Sequence, residues 1–146
     1  MEKPTVLVSE IPDSNWLVGF VEAEGCFFIS IYKSAASKLG YGVRLELIIT
    51  QHTRDHQLIK ILNKHLGCGY ITTYKDKTWL QLTVAKFSDI YNIIIPLFNK
   101  FSLQGTKNLD FLDFVKAAEL MKMKLHLTGE GLEKIRIIKA GMNRGR

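Results

Sequence analysis

Glu22 and Glu24 are the residues whose placement is hardest to explain without chemistry. They fall in the last turn of a helix expected over residues 15–24, which Asp13 or Ser14 can cap and Gly25 can end. That end of a helix carries the negative pole of its dipole, so acidic side chains are disfavoured there. Two of them together suggest a compensating cation. Hard oxygen donors with no Cys or His cluster beside them suit Mg2+, which keeps several waters and shares its shell with phosphate. The competing explanation is that both carboxylates are simply solvated. The same helix carries a second oddity in Gly19, because mid-helix glycine costs about 1 kcal/mol relative to alanine. With Ala23 it forms a small-xxx-small pair, which lets two helix backbones approach closely.

The elements that must position these residues follow in the order α-β-β-α-β-β-α-α-α. Residues 26–33 are rich in aromatic and β-branched side chains, and SAASKLGYG (34–42) has the small residues of a long hairpin loop. Over residues 43–51, Val43, Leu45, Leu47 and Ile49 alternate with Arg44, Glu46, Ile48 and Thr50. Helical spacing returns over residues 54–66 and stops at Gly67. A second hairpin pairs residues 70–75 with 79–84, and three helices are expected over 88–100, 107–124 and 128–143. The pattern predicts an α+β fold, with both hairpins in one antiparallel sheet and helices on one face.

The other face of such a sheet is free for something else. It is expected to carry Ser30, Tyr32, Arg44, Glu46, Ile48, Thr72, Tyr74, Trp79, Gln81 and Thr83, with Ser34 and Lys38 on the first hairpin loop. Side chains of this mix, on a β-ribbon, can read base edges in a major groove. A plain wetted sheet surface is the alternative.

Composition narrows the classes. At 47% hydrophobic the chain can bury a core, and 146 residues make one ordinary domain. A net charge of +6 favours a polyanionic partner without choosing among DNA, RNA and lipid. Lys122, Lys124, Lys134, Arg136, Lys139, Arg144 and Arg146 concentrate this charge near the C-terminus, where they can neutralise phosphates or simply be solvated. Cys26 and Cys68 lack metal-ligand spacing and are expected as reduced, buried thiols. The longest apolar run, near residues 93–98, is too short to span a membrane and is broken by Pro96. The N-terminal stretch lacks a signal-peptide core. An intracellular protein with no membrane and no small-molecule substrate is the expectation.

Leu17–Gly25, LVGFVEAEG, resembles the signature of LAGLIDADG homing endonucleases. LIITQHTRD (47–55), LGCGYI (66–71), FSDIYNIIIP (87–96) and HLTGEGLEKIRIIKAGMNR (126–144) extend the likeness over nearly the whole chain, most closely to the C-terminal repeat of fungal mitochondrial two-repeat enzymes. The resemblance implies the family's α-β-β-α-β-β-α fold, with a four-stranded antiparallel saddle sheet. It also implies one endonuclease domain over 1–146, in which residues 1–12 are an extension and 13–25 the motif helix and dimer interface. It places the metal-binding carboxylate at Glu24, leaves Glu22 structural, and makes Gln51 an organiser of active-site solvent. Lys107 could reach the scissile phosphate, although an exposed lysine at a helix start explains it nearly as well. Trp16, Gly19, Phe20 and Ala23 would pack the motif helix against its counterpart.

The implied reaction is Mg2+-assisted hydrolysis of both strands of a double-stranded DNA target, with Ca2+ able to occupy the site without supporting cleavage. One motif in the chain suggests a homodimer on a pseudo-palindromic site, and the resemblance suggests a mitochondrial setting. Alternatives are a non-cleaving maturase or transcription-factor-like binder, an excised or engineered half of a two-repeat enzyme, or a dimerising α+β domain with an incidental basic face.

Overall fold

The computed structural model describes residues 13–143; the expected extension over 1–12, together with Arg144 and Arg146, lies outside the described residues. Helix α1 (Ser14–Glu24) is capped by Asp13, whose carboxylate accepts from the Trp16 backbone N–H at 2.7 Å. It runs directly into β1 (Gly25–Lys33), which pairs with β2 (Tyr41–His52). A 3-10 turn leads to α2 (His56–Leu66), and β3 (Tyr70–Thr73) with β4 (Trp79–Val84) form the second hairpin. Helices α3 (Phe87–Asp89), α4 (Ile95–Lys100), α5 (Gly105–Lys122) and α6 (Gly129–Ala140) complete the order.

The two hairpins join through β2 and β4 into one antiparallel sheet of order β1-β2-β4-β3. Strand alternation decides its two faces. Phe27, Ile29, Val43, Leu45, Leu47, Ile49, Leu80 and Leu82 are buried, while Phe28, Tyr32, Arg44 and Tyr70 on the opposite parity are exposed. The buried face packs against Leu17 and Val21 of α1, Ile59 and Leu62 of α2, and Phe111 and Phe114 of α5. Phe27 is the aromatic centre, with ring centroids 5.9 Å from Phe98, 5.4 Å from Phe111 and 5.1 Å from Phe114.

Several expectations need correction. The helix expected over 88–100 contains a π turn at Ile90–Ile94 between α3 and α4. Pro96 follows it in the first turn of α4; lacking an N–H and crowding the carbonyl four residues back, it loosens the ladder ahead of it. Helix α5 starts earlier than expected, at Gly105, and ends at Lys122 because Lys124 turns left-handed at φ 60°. Cys68 is buried as expected, but Cys26 is only half-buried.

Gly67 ends α2 in the left-handed conformation that glycine tolerates, at φ 70°. Gly25 ends α1 differently, with extended backbone at φ −92°. A Cβ there would lie 2.8 Å from the Val21 carbonyl oxygen. The glycine is required by the close turn from helix into strand, which fixes where Glu24 points.

Candidate active site and nucleic-acid interface

Glu24 is exposed at the C-terminal tip of α1, where the helix meets the edge of the sheet's open face. Gln51, near the end of β2, lines the same cleft, together with Thr50, His52, Thr78, Trp79 and Gln81. The Gln51 side-chain oxygen accepts from the His52 backbone N–H at 3.2 Å, which restricts the carboxamide's orientation. Lys107 reaches the site from the first turn of α5, and its ammonium donates to the Gly25 carbonyl. Three residues from three elements therefore converge on one helix tip.

Lys107 is half-buried here and does not behave as a merely exposed lysine. Its position also revises the electrostatic argument from Glu22 and Glu24. A cation already sits beside the last carbonyls of α1, so the dipole alone does not demand a metal. Glu22 is half-buried, and one of its carboxylate oxygens is buried with no partner among the described residues. Apart from His52, whose Nδ1 accepts from the Arg54 backbone N–H at 3.0 Å, the metal-donor atoms gathered at the tip are oxygens: the Glu24 carboxylate, the Gln51 amide and backbone carbonyl. That set suits a hard divalent cation. Among the described residues no three His, Cys, Asp or Glu side chains gather to hold an ion. This unit supplies one carboxylate, so a Mg2+ bound here would need ligands from outside it.

Asp110 and Asn143, which sequence reasoning missed, brace this corner. Asp110 is buried and accepts from the Asn143 backbone N–H at 3.0 Å, while the Asn143 side chain donates to the Phe27 carbonyl at 3.0 Å. Burial raises the Cys26 thiol pKa, an effect opposed by Lys107 and reinforced by Asp110. Burial likewise pushes the Cys68 thiol up to about 11. Neither cysteine is set up as a thiolate nucleophile at neutral pH.

The open sheet face carries two side-chain networks. Arg44 donates to the Tyr70 hydroxyl at 3.0 Å and lies 3.7 Å from Glu46, which also accepts from Ser30 at 3.5 Å. Nearer the cleft, Tyr74 donates to the Gln81 amide oxygen at 3.1 Å, and Gln81 donates to Thr50 at 3.4 Å. Tyr74 also packs on Trp79 with centroids 4.4 Å apart. Tyr32 lies over Gly42, its cross-strand partner, while Ile48 and Thr72 are half-buried on the same parity. Ser34 is half-buried and Lys38 exposed on the hairpin loop.

Thr83 corrects the expected contact set. It has the right parity but is only 4% exposed. Its cross-strand neighbours Ile48 and Tyr70 flank it on both sides, so it fills space beneath them. Thr50, which alternation placed on this face without naming it a contact, and Tyr70, which shares the parity of Thr72 and Tyr74 but was not in the expected set, both take part in the open-face networks.

The exposed stripe of α1 contains Trp16, Gly19 and Ala23, with Phe20 half-buried and stacked on Trp16 at 5.4 Å. A Cβ on Gly19 would meet nothing within 4 Å. The chain's own packing therefore gives no reason for glycine at this position. Of the C-terminal cations, Arg136 and Lys139 flank β1 beside Phe28, Lys134 pairs with Glu130 at 3.6 Å, and Lys122 sits over the Tyr91 ring.

A family model described as LAGLIDADG endonuclease matches residues 17–118, from the motif helix into α5. The chain belongs to this family. The matched LAGLIDADG segment contains Glu24, Gln51, Lys107 and the whole sheet. A curated relative, probable intron-encoded endonuclease 3 of Neurospora crassa, is 37% identical over 139 residues, which are 94% of this chain and 26% of the relative. The solved I-SmaMI LAGLIDADG homing endonuclease bound to cleaved DNA is 43% identical with a TM-score of 0.95. This chain matches it over its full length, but spans 49% of the solved chain. I-SmaMI bound to an uncleaved DNA target in the presence of calcium ions also superposes with a TM-score of 0.95 and 43% identity, over 99% of this chain and 49% of that one. The chain thus spans about a quarter of that curated relative and about half of these solved structures.

Proposed function

We propose that this chain forms one half of a metal-dependent, site-specific DNA endonuclease that makes a double-strand break. The convergence of Glu24, Gln51 and Lys107 at the tip of α1, beside an open polar sheet face, carries this reading. Glu24 is the metal-holding carboxylate. It is exposed, and no hydrogen bond or ion pair engages it among the described residues. A protein that only bound nucleic acid would have no use for a free carboxylate facing phosphates.

Held by Glu24 and the Gln51 amide, a Mg2+ would make a water more acidic and would offset charge developing on the departing oxygen. Gln51 holds solvent beside the scissile phosphate through its amide. Lys107 offsets phosphate charge, and its contact with the Gly25 carbonyl keeps the ammonium near the helix tip. The open face positions the duplex through the networks around Arg44 and Gln81.

Two strands require two such tips. The stripe of exposed Trp16, Gly19 and Ala23 with half-buried Phe20 packs against an equivalent helix, bringing two Glu24-type carboxylates together. Without cations they would repel. In a homodimer the counterpart is a second copy of this chain on a pseudo-palindromic site. A second reading, a counterpart repeat in one longer polypeptide, is favoured by the solved relative of which this chain spans 49%. An origin in an intron-encoded, mitochondrial gene fits relatives named as intron-encoded endonucleases and another named for ND4 intron 1.

The test is selection of cleaved duplexes from a randomised DNA pool in Mg2+, repeated with Glu24→Gln and with EDTA. The expected result is a defined cleaved site with the native protein and none in either control. Equal cleavage by Glu24→Gln would overturn the assignment.

A further inference from the structure

Resting on the endonuclease reading above, we infer that Arg44 is a guanine reader, held in a base-reading posture by Tyr70 and Glu46. The observation behind this is an acidic side chain where a DNA-facing surface should avoid one. Glu46 lies on the open face of the sheet, where phosphate proximity would make a carboxylate costly. Its side chain is 18% exposed, against 45% for Arg44, so the carboxylate lies lower and the guanidinium stands outermost.

The guanidinium has five N–H donors in a fixed plane. Its Nε faces Glu46 at 3.7 Å, and one Nη2 hydrogen is given to the Tyr70 hydroxyl at 3.0 Å. Among the described residues no further hydrogen bond engages this side chain, which is 45% exposed, so its remaining Nη1 and Nη2 hydrogens form a forked end. That fork matches the O6 and N7 acceptors of guanine in the major groove. Strand β4 stops at Val84, opposite Leu47, so Arg44 lies beyond the end of that strand. Tyr70 of β3 and Glu46 of β2 restrain it from two sides.

Glu46 also decides between base and backbone. A phosphate approaching Arg44 would meet a carboxylate within 4 Å of the same cation, whereas a base edge carries no formal charge. The pair therefore lowers non-specific attraction and leaves the directional contact. Tyr70 is a positioning residue acting through Arg44; its phenol does not itself need to touch DNA.

The experiment is binding selection by the full chain from a randomised duplex pool in Ca2+, followed by titration of the selected duplex over a salt series. Wild type, Arg44→Lys, Arg44→Ala, Glu46→Gln and Tyr70→Phe are compared. One guanine position per half-site should lose about 10–100-fold of its discrimination in Arg44→Ala and Arg44→Lys. Tyr70→Phe should lose about two- to tenfold at that position alone. Glu46→Gln should lower the same discrimination while tightening binding to unrelated duplex. The salt slope should hold in Arg44→Lys and change by well under the roughly 0.9 expected for a phosphate contact in Arg44→Ala.

An Arg44→Ala protein with every base preference intact and a salt slope reduced by about 0.9 would make Arg44 a phosphate contact and overturn the inference. Loss of preference spread evenly over all positions would overturn it as well. A wild-type protein that enriched no sequence would instead overturn the endonuclease reading on which it rests.

Discussion

Gly19 offers a test in which two effects of one substitution have opposite signs. It sits mid-way along an 11-residue helix, and a Cβ built there meets nothing within 4 Å. Replacing it with alanine should therefore stabilise the isolated chain by about 1 kcal/mol, the helix-propensity difference with no steric charge against it. For a domain of this size that raises the melting temperature by roughly 2–4 °C. The same methyl, and far more a leucine side chain, would stand between α1 and the counterpart helix. Stability must be measured where the chain is monomeric, because association makes it concentration-dependent. Thermal melts at low concentration, sedimentation at high concentration and cleavage assays together read both effects. The expected pattern is a raised melting temperature for Gly19→Ala, and loss of association and cleavage for Gly19→Leu. If Gly19→Leu remained associated and cleaved normally, helix-to-helix approach at Gly19 would be refuted. If Gly19→Ala lowered the monomer's melting temperature, the glycine would have an intrachain role that its open surroundings do not show.

Lys107→Met should slow cleavage by about 10–100-fold while Ca2+-supported DNA binding persists, read by single-turnover kinetics beside a binding titration. A large loss of melting temperature in that variant would instead mean that the Gly25 contact is chiefly structural. Phe27→Ala should cost about 3–5 kcal/mol, measured by urea unfolding, because three buried phenyl rings would be left around the cavity. That is a large part of an ordinary domain's stability of about 5–15 kcal/mol.

Much of this architecture was legible because period and punctuation agreed. The alternation from Val43 to Thr50 assigned both faces of β2, and Gly67 stopped α2 where a left-handed residue was required. The helix tip was legible because Gly25 separates a helical pattern from a strand pattern, which placed Glu24 at the boundary. What failed depended on contacts between elements distant in sequence. Tyr70 shares the parity of Thr72 and Tyr74, but its hydroxyl's partner, Arg44, lies 26 residues away on another strand, and no local pattern encodes that pairing. Thr83 had the correct parity, but the bulk of Ile48 and Tyr70 on either side removed it from the surface. The π turn before Pro96 is a backbone adjustment that side-chain periodicity does not encode. Lys107 was identified as a cation near the site, but its half-buried anchor on Gly25 depended on how α5 packs.

The most direct measurement is anomalous scattering from Mn2+ in crystals of this chain bound to a duplex it recognises but cannot cut. A metal peak is expected within coordination distance of the Glu24 carboxylate and of a scissile phosphate. A second Glu24-type carboxylate, from the counterpart helix, should lie beside it. Metal bound elsewhere, with Glu24 left in solvent away from the phosphate, would contradict that expectation.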